Sequence, residues 1–460
     1  MLIKSCRLCA KLFVSLPLVV WAVFIYRLYL KSANDIENQW HYYLNPLEGT
    51  EFMNMHRDMF ELTIDTPDPK LIGEGKDLFK PPLKKVRHFD NNIVLFSAVA
   101  GNSSSEHIWD TIDIVGWENK NLINNTYKCC VRFTSGEVQS VPATRIIWSN
   151  LLSNMSAMQF VCSNLTSRFG ELPEVATLEG HNKECHSLFD WYLPVTFAHA
   201  HKNEIAVCSQ IAYGSKAADD LLSWFELHRR LGVTKVLLFT HDLNHEATRV
   251  LQHYRALGMA DTVPFAYPTD DQINHVTGEN TYQSWNDEQI TIVDCLARLR
   301  GYRYLALVDT DENLISNRGL PWMSILDELF AKYPDAAGVT FLVKIHIISP
   351  NLKSTGSQFK VGQYLNSTRP WNDRVKHVTM PDRVYSGGLH THEFYVKAGF
   401  KSYWASAEDA VIHHFRACLW QWQGGHCTCS MCEQTLDDTV AKLFEKIEPD
   451  VLKLKAKLSD

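Results

Sequence analysis

Four residues, Asp309-Thr310-Asp311-Glu312, carry the strongest chemical signal in this chain. Two carboxylates one residue apart can turn toward one hard divalent cation, which prefers oxygen ligands and would bridge to a diphosphate. No other Asp-x-Asp triplet occurs in the sequence. The same residues could instead form a solvated turn, so their place in the fold has to decide. A glycoside hydrolase also uses two carboxylates, but sets them roughly 5 Å or more apart across the bond it cleaves. Adjacent Asp309 and Asp311 suit one ion better. A second reactive run, His426-Cys427-Thr428-Cys429-Ser430-Met431-Cys432, gathers three thiols and an imidazole. No separated ligand pair precedes it at a spacing that fits zinc, so disulfides account for it better.

The stretch leading to Asp309 alternates between strand and helix patterns. Ile205 to Ile211 reads as a strand, and after a loop through Gly214 a helix presents Leu221, Trp224, Phe225, His228 and Leu231 on one face, stopped by Gly232. Val236 to Phe239 is a buried run. Ala247, Val250, Leu251, Tyr254 and Leu257 form the stripe of a second helix closed by Gly258, and a strand follows near Val263 to Tyr267. The next helix is expected to start at an Asn286 cap, with Gln289 completing a capping box and Asp287 and Glu288 at its positive end. Arg298 and Arg300 fall in its last turn before Gly301. Tyr304 to Val308 is uninterrupted and apolar, the pattern of a central parallel strand covered on both faces. It ends at Asp309, and ligands of open α/β sheets bind beyond the carboxyl ends of strands.

Over the whole chain of 460 residues, 45% are hydrophobic and 21% charged, a globular composition. The net charge of −7 leaves no footprint for nucleic acid. Lys4, Arg7 and Lys11 precede a charge-free run from Leu12 to Tyr26, and the bulky, charged Arg27 to Lys31 offers no cleavage site. The expectation is an uncleaved anchor of a single-pass, type II protein of the Golgi or endoplasmic reticulum membrane, its body lumenal. Glycosylation triplets at Asn102, Asn124, Asn154, Asn164 and Asn366 all follow the anchor. So does an even set of cysteines from Cys129 to Cys432, which an oxidising lumen would pair. The expected organisation is a cytoplasmic tail (1–11), a transmembrane helix (12–30), a stem (31–87), a β-rich region (88–197), a catalytic domain (198–435) and a helical tail (436–460). The fold class is α/β: a mostly parallel sheet flanked by helices, with a smaller β-rich region before it.

Residues 207–314 resemble glycosyltransferase family 92, a family of GT-A type. The matching pieces are Val207-Cys208, Trp224 to Glu226 with Leu231-Gly232-Val233, Gln289 with Asp294-Cys295-Leu296, and Val308 to Glu312. Arg374 to Val384 with Gly388-Leu389-His390 resembles the family's basic strand and following His, and Ala410 to Arg416 its late His, aromatic, Arg motif. Asn313 and Phe415 depart from the residues common there.

The resemblance implies a sugar nucleotide donor, a manganese-like divalent ion, and transfer of a hexose, often galactose from its UDP form, onto a glycan acceptor. On it, Asp309 and Asp311 would hold metal and donor phosphates, with Glu312 supporting them. His414, at the end of a strand-like run, would complete the metal site, with His390 the other candidate; either could equally be a framework imidazole. Asp294 is a candidate for donor binding or for packing against the sheet. Arg374 and Lys376 would offset diphosphate charge or face solvent. An inverting transfer needs a carboxylate to take the acceptor's proton, and Asp409, then Glu408, are the candidates. A glycan-binding pseudoenzyme of the same fold would keep the architecture without turnover.

Overall fold

The computed structural model describes residues 84, 85 and 93–459, apart from 102–108, 120, 121, 123, 124, 149–154, 167–170, 186–190, 200–202, 269–280, 350–354, 389–393 and 418–433. The expected tail, anchor and nearly all of the stem lie outside the described residues, as do His390 and the run His426 to Cys432. Among the described residues no helix is long and apolar enough to cross a membrane. Those residues form a mixed α/β structure of two large sheets and seven α-helices.

The first sheet contains β1 (Lys84–Lys85), β2 (Ile93–Gly101), β3 (Thr111–Asn119), β4 (Tyr127–Phe133), β5 (Val138–Trp148), β6 (Met155–Cys162), β7 (Pro173–Gly180) and β8 (Leu193–Phe197), in the order β1-β2-β3-β6-β5-β4-β7-β8. β8 also pairs in parallel with β2, Ala98 opposite Val195, so the strands from β2 to β8 close into a barrel. Alternation along the strands splits their side chains between two cores. Ile93, Leu95, Ile112, Ile114 and Phe160 point inward, while Val94, Phe96, Val115, Trp117 and Ala157 face outward into a second apolar layer. Gly116 is forced by close approach: a Cβ there would come 2.3 Å from the Val94 carbonyl oxygen. Neighbouring Cys129 and Cys130 take different partners, Cys162 and Cys185.

The second sheet begins with β9 (Ile205–Tyr213), α1 (Ala218–Arg230), β10 (Lys235–His241), α2 (His245–Ala256), β11 (Ala260–Pro264), α3 (Thr281–Arg298), β12 (Tyr304–Leu307), β13 (Glu312–Ser316), α4 (Trp322–Lys332) and β14 (Ala336–Ile348). It is completed by β16 (Trp371–Thr379), β19 (Lys401–Trp404) and β20 (Ala410–Ala417). Shorter elements are α5 (Lys360–Gln363), β15 (Asn366–Ser367), β17 (Val384–Gly387), β18 (Phe394–Val396), β21 (Thr435–Leu436), α6 (Thr439–Glu445) and α7 (Glu448–Ser459). The strand order is β11-β10-β9-β12-β16-β14-β20-β13, with β19 beside β14. β9, β10 and β11 run parallel outward, then the chain returns to put β12 on the other side of β9, also parallel. β12 is antiparallel to β16, however, and β20 antiparallel to β13. The sheet is therefore mixed, and the Tyr304 to Val308 run is parallel on one side only.

The apolar periods of α1 and α2 end as expected, on Gly232 and Gly258 with φ of 93° and 72°. Leu257 departs from its expected stripe: it caps α2 and is exposed. α3 departs more. It begins at Thr281, not after Asn286, and Asn286 and Asp287 are fully buried inside it. Asn286 Oδ1 accepts the Ala157 amide at 2.9 Å, and Asp287 Oδ1 accepts the Trp117 indole N–H at 2.8 Å. The polar cluster that looked like a cap is a set of acceptors for the barrel. One face of α3 thus meets β2, β3 and β6 and the other meets the second sheet, where Cys295 is bonded to Cys208 of β9.

Candidate active site

The switch in strand order falls between β9 and β12, and in an open α/β sheet the crevice beyond the carboxyl ends of such strands is where ligands bind. The Asp309 to Glu312 turn leaves β12 at that point. It is closed by the Glu312 amide donating to the Asp309 carbonyl at 3.1 Å and the Asp309 amide donating to Glu312 Oε2 at 2.9 Å. Chain then enters β13, an edge strand. Its outward carbonyls are covered by two indoles, Trp224 of α1 donating to Glu312 O at 2.9 Å and Trp322 of α4 to Leu314 O at 2.6 Å.

On the inner side β13 pairs with β20, Glu312 opposite His414. His414 Nδ1 stands 3.4 Å from Glu312 Oε1, and His414 Nε2 the same distance from Asp311 Oδ2. Lys376 of β16, buried, lies 3.0 Å from Asp309 Oδ2 and 3.3 Å from Glu312 Oε2. Asp309, Asp311, Glu312, Lys376 and His414 therefore form one cluster assembled from three stretches of chain. Asp311 is the open member, its side chain 50% exposed.

Charges within the cluster settle unequally. Burial pushes the Glu312 carboxyl up, with Lys376 opposing and Asp309 adding. Burial works against a charged Lys376, yet Asp309 and Glu312 outweigh it and raise its pKa. Burial also opposes ionisation of Asp311, but His414, followed by Lys216 and Arg416, holds that carboxyl well below its ordinary value. Glu312 Oε1 and His414 Nδ1 are buried without a hydrogen-bond partner. Carboxylates and an imidazole are the ligand types that a divalent ion of the manganese kind takes.

Other expected site residues are placed differently. Arg374 sits at φ 57° in an irregular part of β16, two residues before Lys376. Asp294 lies apart from the cluster. Its Oδ1 accepts the Ser97 hydroxyl and its Oδ2 the Arg298 guanidinium at 2.7 Å, which fastens α3 to β2. Glu408 and Asp409 precede β20, where Ala410 lies opposite Ser316, and the Asn317 amide donates to Asp409 O at 3.2 Å. Five residues of extended chain, roughly 16 Å, separate Asp409 from His414. Glu408 and Asp409 thus stand at the far end of β20 from the His414 cluster.

Arg416 and Lys216 were not anticipated as site residues, although both act on Asp311. Arg416 was detectable, because residues two apart on a strand share a face and His414 is already in the cluster. On the reverse face of the same strand His413 meets His346 at 2.9 Å, with Asp437 Oδ2 3.9 Å from His413. Asp437 is in turn held by Lys344, Ser367 and Thr439. With a lysine on its carboxylate and a ring-to-ring hydrogen bond, this trio pins the C-terminal segment behind β20.

An acidic turn at the switch point of a mixed α/β sheet marks a ligand-binding crevice, and comparison with known families says of which class. The family model for glycosyltransferase family 92 matches residues 203–453, more than half of the chain. The chain belongs to that family, and is thereby a glycosyltransferase, working between a sugar donor and a glycan acceptor. No curated protein matches it.

Proposed function

We propose that this protein transfers a hexose, galactose first among the candidates, from a UDP-sugar to a hydroxyl of a glycan on a glycoprotein or glycolipid, with inversion and with a divalent metal, manganese first. The observation that carries the reading is the acidic turn at the strand-order switch, where His414 stands beside Asp311 and Lys376 beside Asp309. Asp309, Asp311 and His414 would hold the ion, which supplies positive charge against the leaving diphosphate. Glu312 and Lys376 fix the turn that aims the two aspartates. At the end of β9, Tyr213 is 43% exposed and close enough to Asp309 to feel its charge, so its ring offers a platform beside the phosphate site for a nucleobase. The galactosyl preference, the UDP carrier and the inverting course extend the family resemblance to this chain.

Purified protein lacking residues 1–31, given labelled sugar nucleotides and a glycan array with manganese, tests the reaction. Transfer is expected to vanish on chelation and in Asp311→Asn, by at least a hundredfold, with the variant still folded and its unfolding temperature only slightly lowered. Full activity in chelated enzyme would sink the metal, and a retained anomeric configuration would sink inversion. Glycan binding with every donor inert would favour a pseudoenzyme.

The reading includes a single-pass anchor at 12–30 in the Golgi or endoplasmic reticulum membrane, with the remainder lumenal. Three disulfides within the described residues suit such an oxidising compartment. In sealed vesicles the body should resist added protease, and its digestion from outside would reverse the orientation.

A further inference from the structure

Two glycosylation triplets, Asn164-Leu165-Thr166 and Asn366-Ser367-Thr368, lie wholly within the described residues, and the fold treats them in opposite ways. Asn164 follows the end of β6. It and Thr166 are exposed, while Leu165 between them is buried in the barrel core. The segment is fixed on several sides. Cys162 is bonded to Cys129, the Leu165 amide donates to the Asp110 carbonyl at 3.1 Å, and the Thr166 amide donates to Gln139 Oε1 at 3.0 Å. With Leu165 anchored inward, both its neighbours are left facing solvent. Asn164 takes φ of 62°, a left-handed backbone that asparagine tolerates better than most side chains.

Asn366 is half-buried in β15, opposite Leu436 of β21. The two residues after it are turned into the fold. Thr368 Oγ1 accepts the Ile345 amide at 3.0 Å, and Ser367 Oγ donates to Asp437 Oδ2 at 2.8 Å. Both are 1% exposed. An attached oligosaccharide is bulky and polar, and needs open water around its asparagine. On Asn366 it would obstruct the seam where β21 and Asp437 close over β15.

We propose that Asn164 is a site of N-linked glycosylation and that Asn366 is not, burial selecting between two triplets that the sequence pattern does not distinguish. The inference rests on the lumenal reading above, which brings the chain to the transferring machinery. In the modification the Asn164 side-chain nitrogen bonds to the anomeric carbon of an oligosaccharide carried on a lipid diphosphate. The bond from that carbon to the diphosphate oxygen breaks, the lipid diphosphate leaves with the electron pair, and the amide gives up one proton. The glycan stands at the far end of β6 from Ala157, the residue of that strand bonded to Asn286 of α3, so it leaves the joint between the barrel and the second sheet uncovered.

Peptide mapping of the full-length protein from animal cells tests this, after an amidase that releases N-linked glycans has acted in heavy-oxygen water and turned each occupied asparagine into labelled aspartate. Label is expected at 164 and not at 366. On gels, Asn164→Gln and Thr166→Ala should each lose the mass of one glycan, Thr166→Ser should keep it, and Asn366→Gln should leave mobility unchanged. Label at 366 overturns the selection by burial. An unlabelled Asn164 in protein labelled at another triplet overturns the site while the lumenal reading stands. If none of the five triplets is labelled, the site and the lumenal reading fall together.

Discussion

The Lys376 ammonium is buried between Asp309 and Glu312, whereas the Asp311 carboxylate is half open to solvent next to His414. The difference separates a residue that holds the site together from one that meets a ligand. Lys376→Met leaves two carboxylates without their cation inside the fold, and breaking a buried pair in this way costs about 3–5 kcal/mol. Chemical denaturation should read a loss of that size, together with lost transfer. Asp311→Asn removes a half-exposed charge paired with His414 and should cost less, up to about 1 kcal/mol. Equal stability of the two variants would refute the distinction.

At the scale of elements, α1 and β14 each bury a histidine in neutral form. His228 of α1 is wholly buried against Trp224 and Trp322, its Nδ1 donating to the Trp224 carbonyl at 2.8 Å. Burial pushes its pKa down to about 4, the Trp224 carbonyl opposing, and burial does the same to His346, also to about 4, against the Asp437 charge. In an unfolded chain both would titrate near 6.5, as an unperturbed imidazole does. Between those values the unfolded chain binds more protons, so stability rises with pH there and is lost as pH falls from about 6.5 through 4. Unfolding temperature should decline across that window, and His228→Gln, which cannot titrate, should flatten part of the decline. An identical slope in the variant would remove His228 from the account.

At the scale of the molecule, α3 is packed on both sides. Ile290, Ile292, Val293 and Leu296 share one apolar layer with Phe96, Trp117 and Met155 of the barrel and with Phe239 and Leu305 of the second sheet. Asn286, Asp287 and Asp294 add polar bonds across the same boundary. The barrel and the second sheet are thus joined through a shared helix rather than a linker. A chain starting at residue 198 would expose that layer and leave buried carboxylates unpaired, so it should be insoluble or molten, while a chain starting at 84 should unfold in one cooperative transition. A soluble, cooperatively folding 198–460 fragment would disprove the dependence.

Much of this was legible in the sequence. Periods of 3.6 residues located α1 and α2 with the glycines that end them, and a short apolar run ending in Asp-x-Asp located the site, because spacing and composition are local properties. What the sequence left open was decided by pairing between distant segments. Asn286 and Asp287 carry the signature of a cap, yet they are interior acceptors, since their donors Ala157 and Trp117 come from strands more than a hundred residues away. Asp409 precedes the His414 motif closely in the chain, yet an extended strand carries neighbours apart, and the register of β20 on β13 puts it at the opposite end. Lys376 and Arg374 lie two residues apart on one basic segment, yet burial makes Lys376 the counterion of Asp309 and Glu312 while Arg374 falls in the distorted part of the strand. The carboxylates were written in the sequence; which cations, imidazole and indoles surround them was set by strand order and register, which only the folded chain possesses.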